Sequence, residues 1–141
     1  MTSRIFYTDN LRTQATHLQS GAVIITDAPV DNQGKGEAFS PTDLVATALG
    51  SCMLTIMGIA ANKHELNIAQ TQVYITKIMQ AQPRRIAAIE VSIIYPDEIA
   101  INLTDKARTI LQNAAKTCPV ALSLHPDIEI RLNFVYGTSK V

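Results

Sequence analysis

The sequence contains no tryptophan, and aromatic residues make up only 5% of its 141 positions. Aliphatic residues must therefore fill any core, and a hydrophobic share of 47% is enough to build one in a single domain of this length. The formal net charge is zero, because twelve basic residues balance twelve acidic ones. No basic stripe is interleaved with aromatic residues, which argues against a protein that binds nucleic acid.

Cysteine is scarce, with Cys52 and Cys118 as the two examples. The first residues lack the basic and apolar regions of a secretory signal. We therefore expect a cytoplasmic protein in a reducing compartment, without a structural disulfide framework. The two cysteines do not form a CxxC pair, which excludes a thioredoxin-type motif and a zinc knuckle.

Metal and cofactor sites are not predicted. Two cysteines and three histidines could in principle supply four zinc ligands, but none of their spacings matches a known ligand pattern. The histidines are His17, His64 and His125. Gly34 and Gly36 alone do not form a dinucleotide-binding or phosphate-binding loop.

The most apolar stretch is Leu44 to Ala61. It is about long enough to span a bilayer, which takes a helix of roughly 20 residues. It contains three hydroxyl residues and two glycines, so we predict a buried core helix and no membrane association. The start of this helix is well marked. Ser40 is the expected N-cap, Pro41 occupies the first helical position, and Asp43 completes a capping box.

The remaining pattern predicts an α+β domain spanning residues 1–141, with helices packed on a mostly antiparallel sheet. Strands are expected in RIFY, GAVIITDAP, QTQVYITKIM, IAAIEVSIIY and IEIRLNFVY. Ile89, Val91, Ile93 and Tyr95 alternate with other residues, which indicates one buried face. QAQPRR is the expected hairpin connection, and a second helix capped by Thr104 ends near Cys118.

Each cysteine has two interpretations at this stage. Both thiols could be small buried core residues, since free cysteine is among the most buried residue types. In KTCPVALSL, however, Pro119 suits the start of a new helical turn, which would place Cys118 at its N-cap. Free N–H groups there are expected to lower the pKa of its thiol. A thiolate at Cys52, in mid-helix, would need a cation or donor from elsewhere in the fold.

The segments SPTDLVATALGSCM and TCPVALSL together resemble the paired motifs of the OsmC/Ohr family of thiol peroxidases, in its OsmC-like branch. The resemblance covers nearly the whole chain and implies an intertwined homodimer with two active sites at the subunit interface. It also implies that Cys52 attacks a small-molecule hydroperoxide and becomes a sulfenic acid. Cys118 then condenses with it to a disulfide, which an external dithiol reduces.

The family also uses an arginine held by a carboxylate near the start of the central helix. Arg12 is the best match for the arginine, and Asp43 for the carboxylate, with Glu37 as the second choice. Thr42 stands where the peroxidase branches often have glutamate, which leaves open a stress-associated or ligand-binding protein with little turnover. A third function, redox exchange with protein thiols, predicts an exposed cysteine.

Overall fold

The computed structural model describes residues 1–137. Its strands and α-helices are β1 (Ser3–Asp9), β2 (Arg12–His17), β3 (Val23–Asp27), α1 (Pro41–Lys63), β4 (Gln72–Ala81), β5 (Arg84–Tyr95), α2 (Asp97–Ala100), α3 (Asp105–Lys116), α4 (Pro119–Ser123) and β6 (Glu129–Tyr136). This mixture confirms the α+β class. The chain forms two compact units, one from Met1 to Val45 and one from Ala46 onwards. The predicted single domain remains a prediction, and its last four residues lie outside the described part.

The first unit is built on an antiparallel meander in the order β1-β2-β3. The apolar pattern does not predict β2, whose sequence RTQATH has a single apolar residue. This strand forms because it hydrogen-bonds on both sides: Ala15 lies opposite Ile5 of β1 and opposite Ile24 of β3. The turn between β1 and β2 places Asp9, Asn10 and Leu11 at positive φ.

Both faces of this first sheet carry exposed apolar side chains. Consecutive strand residues point to opposite faces, yet the neighbouring residues Ile24 and Ile25 are 50% and 53% exposed. Phe6 and Tyr7 of β1 repeat the pattern at 50% and 66%. Within one chain, this sheet therefore leaves a large apolar area in contact with water, which is unusual for a monomeric protein.

The predicted start of α1 is confirmed. Ser40 Oγ accepts a hydrogen bond from the Asp43 N–H at 3.1 Å, and the Ser40 N–H donates to Asp43 Oδ2 at 2.8 Å. These two bonds form a capping box with aspartate in place of glutamate. Pro41 is the first helical residue, where its missing N–H costs nothing.

Helix α1 buries one side of its surface in the core of the second unit. Leu49, Met53 and Met57 are at most 1% exposed, whereas Ile59 is 61% exposed. The helix is therefore not enclosed on most sides within one chain, contrary to the expectation from its composition. Helix α1 is long and apolar enough to cross a membrane, and 33% of its most apolar 18-residue segment is buried. The packing of the buried stripe agrees with the predicted core helix.

The second unit contains a sheet in the order β4-β5-β6. Strands β4 and β5 form the predicted antiparallel hairpin, but they extend into QAQPRR and leave only Gln82 and Pro83 between them. Strand β6 runs parallel to β5, with Ala88 opposite Glu129. Antiparallel pairing dominates as predicted, but the strands are divided between two sheets and one pair is parallel. The alternating residues predicted on β5 are all buried.

Candidate active site

Cys52 lies in the middle of α1, at the edge of the buried stripe. Its neighbour Met53 is in the core, while Ser51 is exposed. The Cys52 side chain is half-buried and packs against the core of the second unit. Cys52 is therefore neither fully buried nor fully exposed, and apolar core residues lie against it.

Cys118 lies directly after α3 and caps α4, as the sequence predicts. Helix α3 begins at the predicted cap, where Thr104 Oγ1 accepts the Ala107 N–H at 3.2 Å. Pro119 is the first residue of α4, and Cys118 Sγ accepts the Ala121 N–H at 3.3 Å. Cys118 is 0% exposed, so the cap sits inside the core.

The expected lowering of the Cys118 pKa is wrong. Burial raises the pKa of this thiol, and the Ala121 N–H opposes that effect without reversing it. Removal of the thiol from water disfavours the charged form more than one helix N-terminus can favour it. The neighbouring Cys52 raises the Cys118 pKa further. Cys118 lies in the apolar core cluster of the second unit, and Cys52 packs against that cluster. Both are free thiols in this structure.

Arg12 forms the centre of a charged cluster in the first unit. Its Nη2 donates to Asp27 Oδ2 at 3.1 Å and also binds the Glu37 carboxylate. Arg12 begins β2 and Asp27 ends β3, and the two residues are directly opposite in the strand pairing. The Asp27 side chain is 0% exposed, whereas that of Glu37, from the loop before α1, is 60% exposed.

Asp27 is the site residue that sequence reasoning missed. Its carboxylate accepts the Glu37 N–H at 2.9 Å in addition to the bond from Arg12, and these two contacts hold its pKa below the usual range. The sequence does offer a signal: an acidic residue directly follows the apolar run VIIT at the end of a strand. However, Asp27 and Ala28 directly precede Pro29, and this composition is typical of an ordinary turn, so it does not single out Asp27 as a site residue.

Asp43 was the first choice for the partner of Arg12 and Glu37 the second. The carboxylates that hold the guanidinium are Glu37 and Asp27. Asp43 instead closes the capping box of α1. A catalytic role for Asp43 stays a prediction. Arg12 and Asp43 belong to the first unit, whereas the two cysteines belong to the second.

The described residues show no cluster of three or more His, Cys, Asp or Glu side chains that could hold a metal ion. His17 Nδ1 instead lies 2.7 Å from Ser20 Oγ, and the His125 ring interacts with Asp127.

A model of the OsmC-like protein family matches residues 34–133. A protein from Psychrobacter arcticus 273-4, named for a proposed role in osmotic stress and detoxification, is 54% identical, with 95% of each chain covered and a TM-score of 0.89. The organic hydroperoxide resistance protein OsmC from Legionella pneumophila has the same fold, with 13% identity, a TM-score of 0.72, and 96% of this chain and 97% of that chain covered. No curated protein matches this chain. The chain belongs to the family of OsmC-like proteins.

Proposed function

We propose that this OsmC-like protein reduces organic hydroperoxides through a two-cysteine cycle. The observation that supports this most is the placement of its two thiols: fully buried Cys118 lies in the apolar core cluster, and half-buried Cys52 packs against the same cluster. Two free thiols that share one core cluster are candidates for a reversible dithiol–disulfide pair. The name of the Legionella protein, which refers to organic hydroperoxide resistance, agrees with this chemistry.

The proposed reaction begins at Cys52. Its thiolate attacks the distal oxygen of the hydroperoxide, the O–O bond breaks, and the departing alkoxide takes a proton to become an alcohol. The sulfur is oxidised to a sulfenic acid. The Cys118 thiol then displaces the hydroxyl group, which leaves as water, and a Cys52–Cys118 disulfide forms. An external dithiol supplies the two electrons that restore both thiols.

Burial supports this assignment of roles. Cys118 is 0% exposed and its raised pKa keeps it protonated near neutral pH, so it is a poor first nucleophile. Cys52 is the more accessible of the two. The same contrast disfavours exchange with protein thiols, which would need an exposed cysteine. One helical turn from Cys52 on either side lie Ala48 and Ile56, whose apolar side chains suit an organic peroxide.

Arg12 is the proposed cation that favours the Cys52 thiolate. A guanidinium stays charged at any physiological pH and does not give up its proton to a thiolate. Hydrogen bonds to Asp27 and Glu37 raise the pKa of Arg12 further above its usual value. We propose Asp43 only as a supporting residue at the start of α1. Reduction of the disulfide by a dithiol suits a cytoplasmic protein.

The test of this function is rapid mixing of the reduced protein with a panel of hydroperoxides, followed by mass mapping of the cysteines. We expect tert-butyl hydroperoxide and cumene hydroperoxide to react faster than hydrogen peroxide, with one Cys52–Cys118 disulfide per chain as the product. If both thiols remain unchanged after exposure to excess organic hydroperoxide, the proposed enzymatic function is contradicted. A stress-associated binding protein would then be favoured.

We further propose a homodimer, because the first sheet exposes apolar side chains on both faces and α1 is open on one side. Light scattering at micromolar concentration should give twice the mass of one chain. Ile24→Lys, on the sheet, should shift the protein towards monomer. Ile101→Lys provides the control, because Ile101 is 81% exposed but lies outside this sheet. A monomeric wild-type protein would refute the dimer.

A further inference from the structure

Helix α4 lies directly against the Cys118 sulfur, because the Ala121 N–H in its first turn donates to Sγ at 3.3 Å. Cys118 is 0% exposed, yet the proposed function requires an external dithiol to reduce a disulfide formed at this sulfur. We propose that α4 is a redox-controlled gate: the Cys118 thiol holds it closed through the cap, and a Cys52–Cys118 disulfide opens it to the reductant. This inference rests on the proposed function.

Helix α4 depends on Cys118 for its own stability. It has five residues, Pro119–Ser123, none of which is buried, and Leu122 is 75% exposed. Two of its hydrogen bonds end on Cys118: the Ala121 N–H donates to the sulfur, and the Leu122 N–H donates to the carbonyl oxygen at 3.2 Å. Short helices are marginal in water without support from outside. Loss of the side-chain cap should therefore loosen α4.

Formation of the disulfide acts on α4 because α1 cannot easily move. Both cysteines are free thiols, and a covalent S–S bond is shorter than any contact between unbonded sulfurs, so one sulfur must approach the other. Cys52 lies in the middle of α1, whose Leu49 and Met53 are at most 1% exposed. A close-packed core leaves few voids into which such a helix could shift. The movement therefore falls on Cys118 and withdraws its sulfur from the Ala121 N–H.

Reduction closes the gate again. A thiolate of the external dithiol attacks the disulfide, the S–S bond breaks, and the mixed disulfide is then displaced by the second thiol of the reductant. Two electrons and two protons pass to the protein, and the reductant leaves as a disulfide. Cys118 Sγ can then accept the Ala121 N–H once more. Because the cap bond belongs to the dithiol state, it stabilises that state and makes the disulfide easier to reduce.

The experiment compares amide hydrogen exchange, measured by NMR, in the reduced protein and in the same protein oxidised with one equivalent of tert-butyl hydroperoxide. Mass mapping first establishes whether the Cys52–Cys118 disulfide has formed. We expect protection of the Ala121 amide to fall by about tenfold on oxidation, the usual scale for loss of a side-chain cap.

Helix α3 offers a matched control within the same molecule. Thr104 Oγ1 accepts the Ala107 N–H at 3.2 Å, which is the same N-cap arrangement with a hydroxyl in place of a thiol. The hydroperoxide oxidises a thiol and leaves a threonine hydroxyl unchanged. Protection of the Ala107 amide should therefore stay within about twofold of its value in the reduced protein.

A variant that loosens α4 without altering either thiol tests whether the helix controls access. Ala121→Gly keeps the donor N–H but lowers helix propensity, so more molecules should have α4 open. Dithiothreitol should then reduce the oxidised variant about fivefold faster than the oxidised wild type. Lys106→Gly makes a comparable change at an exposed position in the first turn of α3, and it should leave the rate of reduction within about twofold.

The outcomes separate the gate from the proposed function. If no disulfide forms, the two-cysteine cycle is refuted and the gate with it. If the disulfide forms but protection of the Ala121 amide is unchanged, the gate alone is refuted. An equal loss of protection at Ala107 would indicate general loosening of the protein and would also refute the gate. If Ala121→Gly is reduced at the wild-type rate, α4 does not control access to the disulfide.

Discussion

Replacement of Cys52 by serine is expected to abolish the reduction of organic hydroperoxides. The hydroxyl of serine is not ionised at neutral pH and is a far weaker nucleophile, so no group remains that can break the O–O bond. We expect the rate constant for reaction with tert-butyl hydroperoxide to fall by at least about a thousandfold, the usual scale for loss of a catalytic nucleophile. Peroxide consumption in the presence of dithiothreitol measures the effect.

Ser51→Ala is the matched control for this experiment. Ser51 precedes Cys52 on α1 and is exposed. Its replacement therefore tests whether loss of a small side-chain group next to Cys52 is enough to lower the rate of hydroperoxide reduction. We expect wild-type kinetics from Ser51→Ala and a wild-type melting temperature from both variants. Turnover by Cys52→Ser at the wild-type rate would show that Cys52 is a core residue and would refute the proposed enzyme.

Features that depend on local sequence were predictable. The capping box of α1 requires only Ser40, Pro41 and Asp43 in the right order, and the structure contains both of its hydrogen bonds. The alternating apolar residues of β5 likewise predict one buried face, whichever strands lie beside β5 in the sheet. Thr104 marks the start of α3 for the same reason, because its side chain bonds within its own helical turn.

Features that depend on distant pairing were not predictable from these patterns. Strand β2 has almost no apolar residues, and it exists because its two neighbours hydrogen-bond to it. The division into two sheets and the parallel register of β5 and β6 depend on which strands meet after the chain has folded. Parallel strands are joined by a long crossover connection and not by a short turn, so no turn sequence predicts their pairing.

The candidate site shows the same division. Pro119 correctly placed Cys118 at a helix N-cap, but the direction of its pKa depends on burial in the core, which only the assembled unit determines. Asp27 was missed because an acidic residue at a strand end has the same composition as a turn. Its role follows from the strand register, which places it opposite Arg12.

Cys118→Ser should separate the two steps of the proposed cycle. Each chain should still consume one hydroperoxide, because Cys52 remains, but no thiol is left to form the disulfide. The sulfenic acid should persist in the absence of added thiol, and excess peroxide should convert it to the sulfinic acid, which gains a second oxygen. Intact-mass spectrometry of the wild type and the variant, treated in parallel, measures both products.

Cys118→Ala provides a second comparison, because Cys118 also has a structural role. Serine can accept the Ala121 N–H as the native sulfur does, whereas alanine leaves that donor without its partner in the core. Both variants should over-oxidise, but only the alanine variant should lose stability. If Cys118→Ser fails to consume even the first hydroperoxide while Cys52→Ser still does so, the order of attack is reversed. The buried thiol at the helix N-terminus would then be the nucleophile, despite its raised pKa.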